Sequence, residues 1–210
     1  MLFSDKIGKI LKNSLPAPFT IAVILTFLTI LIAFFISTDS CNSKNFFEIL
    51  SFWEKGLWDN SLMVFALQMM LMLVLGHSLA LSELVSKIIS NITIYCNNTA
   101  NAAAIVTFTT LLVAFLNWGL GLIFGAIFAR KVGEHATKNN IPLNYPLVGA
   151  AGYSGLMIWH GGISGSAPIK IAENNHFLAE KIGTISQAET IFSTMNVTIS
   201  ISLLLFLPLL

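Results

Sequence analysis

Two short runs combine glycine, amide and hydroxyl residues in a way that a plain apolar helix does not: Asn117-Trp118-Gly119-Leu120-Gly121 and Trp159-His160-Gly161-Gly162-Ile163-Ser164-Gly165-Ser166-Ala167-Pro168. In a helix each glycine costs about 1 kcal/mol against alanine and a proline about 3, so the second run is expected to be unwound backbone. Ser166 ahead of Ala167-Pro168 reads as an N-cap with proline in the first turn, opening a half-helix toward Glu173. Asn117 reads as the cap of the helix that follows it. Helix amino termini offer unpaired N–H groups and the positive end of the dipole, so they bind anions without lysine or arginine. The chemistry implied is capture of a small anion by Asn117, Trp118, Gly119, Gly121, His160, Gly161, Gly162, Ser164, Gly165 and Ser166. A glycine kink and interhelical serine hydrogen bonds are the blander readings of the single residues, but they do not account for the whole run from His160 to Pro168.

His160 is read either as a carrier of a coupling proton or as a neutral donor steadying the loop. Carbonyls around Gly161 to Gly165 are the corresponding candidates for a coupling Na⁺. No other cofactor and no metal centre is expected: Cys41 and Cys96 are 55 positions apart, without a Cys/His cluster, and read as free thiols. Catalysis is disfavoured, since His160 with Ser164 or Ser166 is the sole base and nucleophile pairing in the apolar stretches and no acid orients it. Gln68 reads as an interhelical hydrogen-bonding group and His77 as an interfacial residue.

The elements that must position these residues follow from where charge is missing. The chain has 210 residues, 55% of them hydrophobic and 10% charged, with a net charge of +1. This excludes an ordinary soluble composition and a nucleic-acid partner and points to the lipid bilayer as the surroundings. All 21 charged residues fall outside five stretches: Leu15 to Ser37, Asn60 to Ser82, Thr99 to Ala129, Asn139 to Ile169 and Thr190 to Leu210. About 20 apolar residues cross a bilayer core as a helix. Spans are therefore expected at about 18–36, 61–81 and 190–210, after an interfacial segment over 1–14. Phe46 to Trp58 reads as a further interfacial helix.

The remaining two stretches do not fit one crossing each. A helix over 101–129 would be about 44 Å long, broken at Asn117 to Gly121. Excess Lys and Arg marks the cytoplasmic side, so Lys6, Lys9 and Lys12 place the amino terminus inside. A re-entrant hairpin over 101–130 keeps Arg130, Lys131 and Lys138 inside as well. Small residues agree: Ala103, Thr107, Thr110 and Ala114 on one arm, Gly121, Gly125 and Ala129 on the other, form stripes that let two backbones approach. The fourth stretch is expected as a broken helix over 146–173, regular from Leu147 to Trp159. Lys170 and Glu173 then fall in an outer loop, which leaves no basic side chain near the proposed anion site.

Three runs carry a resemblance: Gly76-His77-Ser78-Leu79-Ala80; Asn117 to Gly121 with Gly125-Ala126-Ile127-Phe128-Ala129-Arg130; and Trp159 to Gly162 with Ser164 to Pro168. From about Ile7 onward the sequence resembles the short-chain fatty acid transporter family. That resemblance implies an all-α membrane protein and secondary uptake of acetoacetate, butyrate or similar small monocarboxylates across the bacterial inner membrane, coupled to H⁺ or Na⁺. It also implies one repeat of an inverted-repeat ion-transporter-type fold, in which each repeat carries a re-entrant hairpin and a broken helix. Family members are about twice this length, so the resemblance covers the amino-terminal half and the second repeat is missing. The expectations are then a fragment, an inactive chain, or a half-transporter that works with a second chain or as a homo-oligomer.

Overall fold

Helices form where the charge gaps place apolar runs, and also between them, where charged residues share the helix with an apolar face. The computed structural model describes residues 16–36 and 43–210, with the side chains of 43–45 left out; the expected interfacial segment over 1–14 lies outside the described residues. The chain divides into two units, Met1–Leu62 and Met63–Leu210. All regular structure among the described residues is helical.

In the first unit, α1 (Pro18–Ile36) is apolar on every face. Two of its three threonines, Thr26 and Thr29, donate to the carbonyls of Ala22 and Leu25 at 2.9 and 2.8 Å. That keeps their hydroxyls satisfied within the helix, as a lipid environment demands. α2 (Ser43–Leu57) follows, with the Phe46 ring edge-on to Phe34 at 6.4 Å.

The second unit is built around a helical hairpin. α3 (Asn60–Ala80) leads into α4 (Glu83–Thr93), then into the arms α5 (Thr99–Leu116) and α6 (Trp118–Lys138). α7 (Tyr145–Gly152), two 3₁₀ turns (Ser154–Met157 and Trp159–Gly161), α8 (Ser166–Ile171), α9 (Ala179–Ile182) and α10 (Thr194–Phe206) complete it. α1, α3 and α5 are each long and apolar enough to cross a membrane.

α4 is the helix that charge gaps hid. Ser82 caps it, Glu83 and Lys87 pair at 2.8 Å on its exposed side, and Val85, Ile89 and Thr93 are buried on the other. An i, i+4, i+8 stripe needs only three apolar positions, so it leaves no long uncharged run.

The two arms meet on the small-residue stripes. A side chain at Gly121 would strike Ala114, and one at Gly125 would come within 2.9 Å of Thr110 Cγ2. Phe128, Val106 and Val132 are fully buried between the arms and their neighbours α4 and α7, together with Ile89 and Val148. The second arm runs on to Lys138 rather than stopping at residue 130. It can, because Arg130 pairs with Glu134 one turn later at 2.9 Å and the apolar stripe continues through Val132 and Ala136. It stops where Asn140 takes the left-handed conformation, φ 54°, and Ile141 N–H reaches back to the Ala136 carbonyl at 2.9 Å.

Two further boundaries differ from the sequence reading. The α-helix of the broken segment ends at Gly152, seven residues before Trp159, and tighter turns take over. The last helix begins at Thr194, capped by Ser193, and Thr194–Leu209 is shorter than a full crossing.

Candidate functional site

The hairpin reverses at a single extended residue. Asn117 (φ −148°, ψ 115°) is the only position between α5 and α6. Its Oδ1 accepts the Leu120 N–H at 2.9 Å, the capping role expected of it. Its Nδ2 lies 3.4 Å from Met72 Sδ on α3. α3 passes closely: the Met72 carbonyl would sit 3.0 Å from a side chain at Gly119.

The broken segment is bonded to this tip. Ile163 N–H donates to the Phe115 carbonyl at 2.7 Å, and Ser164 Oγ accepts the Trp118 N–H at 2.8 Å. Gly162 packs so tightly that a Cβ there would lie 2.5 Å from the Phe115 oxygen. Trp118 and Trp159 meet edge to face at 5.4 Å, and both indole N–H groups are buried without a hydrogen-bond partner among the described residues.

Ser166 is not the cap of α8. Gly165 holds that position, without a side-chain hydrogen bond, and Ser166 is the first helical residue. The serine with a capping bond is Ser164, and it caps the other helix, α6. Two of the leading N–H groups of α6, those of Trp118 and Leu120, are therefore already occupied. The unwound carbonyls are partly occupied as well: Gly161 accepts from Asn196 Nδ2 at 2.8 Å, and Gly162 from the Gly165 N–H at 2.9 Å.

Beside the break lies a cavity of about 330 Å³, at the small end of the roughly 300–1,000 Å³ found for ligand pockets. α3 supplies an apolar wall of Phe65, Met69, Met72 and Leu75, with Gln68 among them; the broken segment supplies Ser164, Ser166, Ile169, Lys170 and Glu173. Lys170 is buried, 7% exposed, and its Nζ is 2.8 Å from Glu173 Oε2. This corrects the expectation of an anion site with no basic side chain nearby. α8 spans one and a half turns, which brings Lys170 back against the break instead of out into a loop.

The structure therefore sorts the expected site residues. Ser164 and Ser166 line the cavity, and Asn117 and Trp118 join it through Ser164 and Met72. Gly119 and Gly121 are packing positions against α3 and α5. Gly161, Gly162 and Gly165 shape the break. The His160 ring is exposed and edge-on to Trp159 at 5.4 Å, and it does not line the cavity. Lys170, Glu173 and Asn196 were missed in the sequence. Asn196 also donates to the Ile191 carbonyl at 2.8 Å, so one amide ties α10 to the break.

A larger concavity, about 970 Å³, lies at the far end of α6 and is lined by Arg130, Lys131, Lys138 and Tyr145 among others. It is about 18–30 Å along the helix from the tip, so it is separate from the break.

Residues 2–210 match the family described as "Short chain fatty acid transporter". The chain belongs to this family. Two curated relatives carry the name "Putative short-chain fatty acid transporter". One, from Escherichia coli (strain K12), is 32% identical over 194 residues. The other, from Haemophilus influenzae, is 34% identical over 201. In both, the match covers 92% of this chain and 42% of the relative, so the chain spans about two fifths of their length. No solved structure matches it. The three long apolar helices suit the membrane setting that the family's description implies.

Proposed function

We propose that this chain serves the secondary active transport of short-chain monocarboxylates, acetoacetate, butyrate or similar acids, across the bacterial inner membrane. The observation that carries the reading is the unwound segment bonded to the hairpin tip through Ile163 and Ser164, next to a small, largely apolar cavity. Non-helical backbone survives in a membrane only where it is buried in protein or lines a watery space. A cavity of this size admits a short acyl tail. Each buried methylene contributes about 0.8 kcal/mol, so tails of two to four carbons are held modestly.

In this reading the hairpin is re-entrant, entering and leaving on the cytoplasmic side with the amino terminus. α5 has 18 residues, about 27 Å, which carries Asn117 deep into a core of about 30 Å. Lys138 then reaches the cytoplasmic surface, and Arg130 and Lys131 lie on that side of the hairpin, within reach of it by their long side chains, in keeping with the charge rule. The fold is one repeat of an inverted-repeat transporter, and coupling to H⁺ or Na⁺ supplies the driving force. The full activity is proposed for the length of the relatives, to which this chain contributes the hairpin, the break and the cavity.

The test is accumulation of labelled butyrate by vesicles containing the chain. Chain-dependent uptake that falls severalfold in Ser164→Ala and in Asn117→Ala, with membrane insertion unchanged, supports the site. Uptake at the wild-type rate in both variants rejects it. The coverage of 42% of each relative favours a second reading, a half-transporter that works only with a second chain. It predicts butyrate binding without uptake until that chain is supplied.

A further inference from the structure

Lys170 and Glu173 form an ion pair that packing alone does not call for. The lysine side chain is 9% exposed and the glutamate 40%, with Nζ and Oε2 2.8 Å apart. Burying an ammonium against apolar side chains is costly unless a carboxylate meets it. The cation thus sits in the cavity wall, while its partner, three residues on, is half exposed. Beyond its Cα, a glutamate side chain is chemically propionate: two methylenes and a carboxylate. The cavity that these residues line with Ser166, Met69, Met72 and Leu75 already holds an internal copy of a short-chain acid.

We propose that Lys170 is the counter-ion of the transported carboxylate, and that Glu173 is its resting surrogate, displaced when substrate enters. This rests on the proposed function and specifies its substrate class: unbranched monocarboxylates of about the length of the glutamate side chain, with the tail against the α3 methionines and leucine. The swap keeps the ammonium paired at every stage, which avoids the penalty of an uncompensated buried charge. It also sets affinity low, because substrate competes with a tethered carboxylate at high effective concentration. An importer has to release its cargo, and a tethered competitor assists that release.

Equilibrium calorimetry on the chain in lipid nanodiscs tests this, with butyrate as probe and butyramide as its neutral counterpart. Wild type is expected to bind butyrate and not butyramide. Glu173→Gln, which removes the competitor and leaves the cation, is expected to tighten butyrate by about tenfold, the scale of one charge-assisted hydrogen bond. Lys170→Gln is expected to weaken it by about tenfold or more and to cancel the gain from Glu173→Gln, while Lys170→Arg retains binding. A gain in affinity cannot come from misfolding, so the glutamate variant carries the test even if the lysine variants fold poorly. Butyrate binding that is unchanged or weaker in Glu173→Gln, or a gain that persists without Lys170, overturns the swap and leaves the transport reading standing. No butyrate binding by wild type overturns both.

Discussion

Ser164 and Asn196 each serve two elements at once. Ser164 lies in the break, yet its hydroxyl caps α6 by accepting the Trp118 N–H. Asn196 lies on α10, yet its amide satisfies the carbonyls of Gly161 and Ile191, both at 2.8 Å. A buried carbonyl left without its donor costs about 1–3 kcal/mol. Asn196→Ala is therefore expected to destabilise the chain by that amount, read as a lower melting temperature in detergent; an unchanged midpoint speaks against the clamp. Cys96 gives a second check at this scale. It sits between α4 and α5, fully buried, and burial pushes its thiol up to about 11 from 9.0. At neutral pH it is protonated and shielded, so in a Cys41→Ser background maleimide labelling is expected to be slow in the folded chain and rapid in denaturant. The same sign makes its contribution to stability complete below pH 9 and lost as pH rises toward 11, because the unfolded thiol ionises first.

At the scale of elements, the hairpin and the break were legible because both violate helix rules openly. Asn117-Trp118-Gly119 interrupts an apolar run too long for one crossing, and Gly161, Gly162 and Pro168 exclude a continuous helix. The stripes of Thr110, Ala114, Gly121 and Gly125 named the faces that now meet. What could not be read was pairing across the fold. Nothing in the spacing of Ser164, Ser166 and Asn117 says which serine caps which helix, since that depends on how the break docks on the tip. Charge alone puts Lys170 in an outer loop; the turn of α8 that buries it is a tertiary fact. α4 escaped because its apolar stripe is interleaved with Glu83 and Lys87.

The packing of the break gives a paired prediction. A methyl group at Gly162 meets the Phe115 carbonyl at 2.5 Å, whereas at Gly149, inside α7, it meets nothing within 4 Å. Gly162→Ala is expected to cost about 1–3 kcal/mol and to release the segment from the tip. Gly149→Ala is expected to be neutral or to stabilise by about 0.5–1 kcal/mol through helix propensity. Thermal unfolding of both variants decides: equal midpoints mean the break is not docked as described.

At the scale of the whole molecule, low charge is what permits this design. With 10% charged residues and a partly buried ion pair at the cavity, the second unit would, on the proposed reading, meet a carboxylate with the Lys170 ammonium in a mainly apolar surround. Family membership supplies the setting, and the local geometry supplies the position. The central claim, that the cavity between α3 and the break holds a short-chain carboxylate, is tested most directly by protection. In a Cys41→Ser background, a cysteine introduced by Ser166→Cys lies on the cavity wall, and one introduced by Leu79→Cys lies on the exposed face of α3 outside it. The account predicts that butyrate slows modification of the cavity cysteine by a small methanethiosulfonate in a saturable manner, that butyramide does not, and that the Leu79→Cys rate is unaffected. Equal rates at the cavity cysteine with and without saturating butyrate would contradict it.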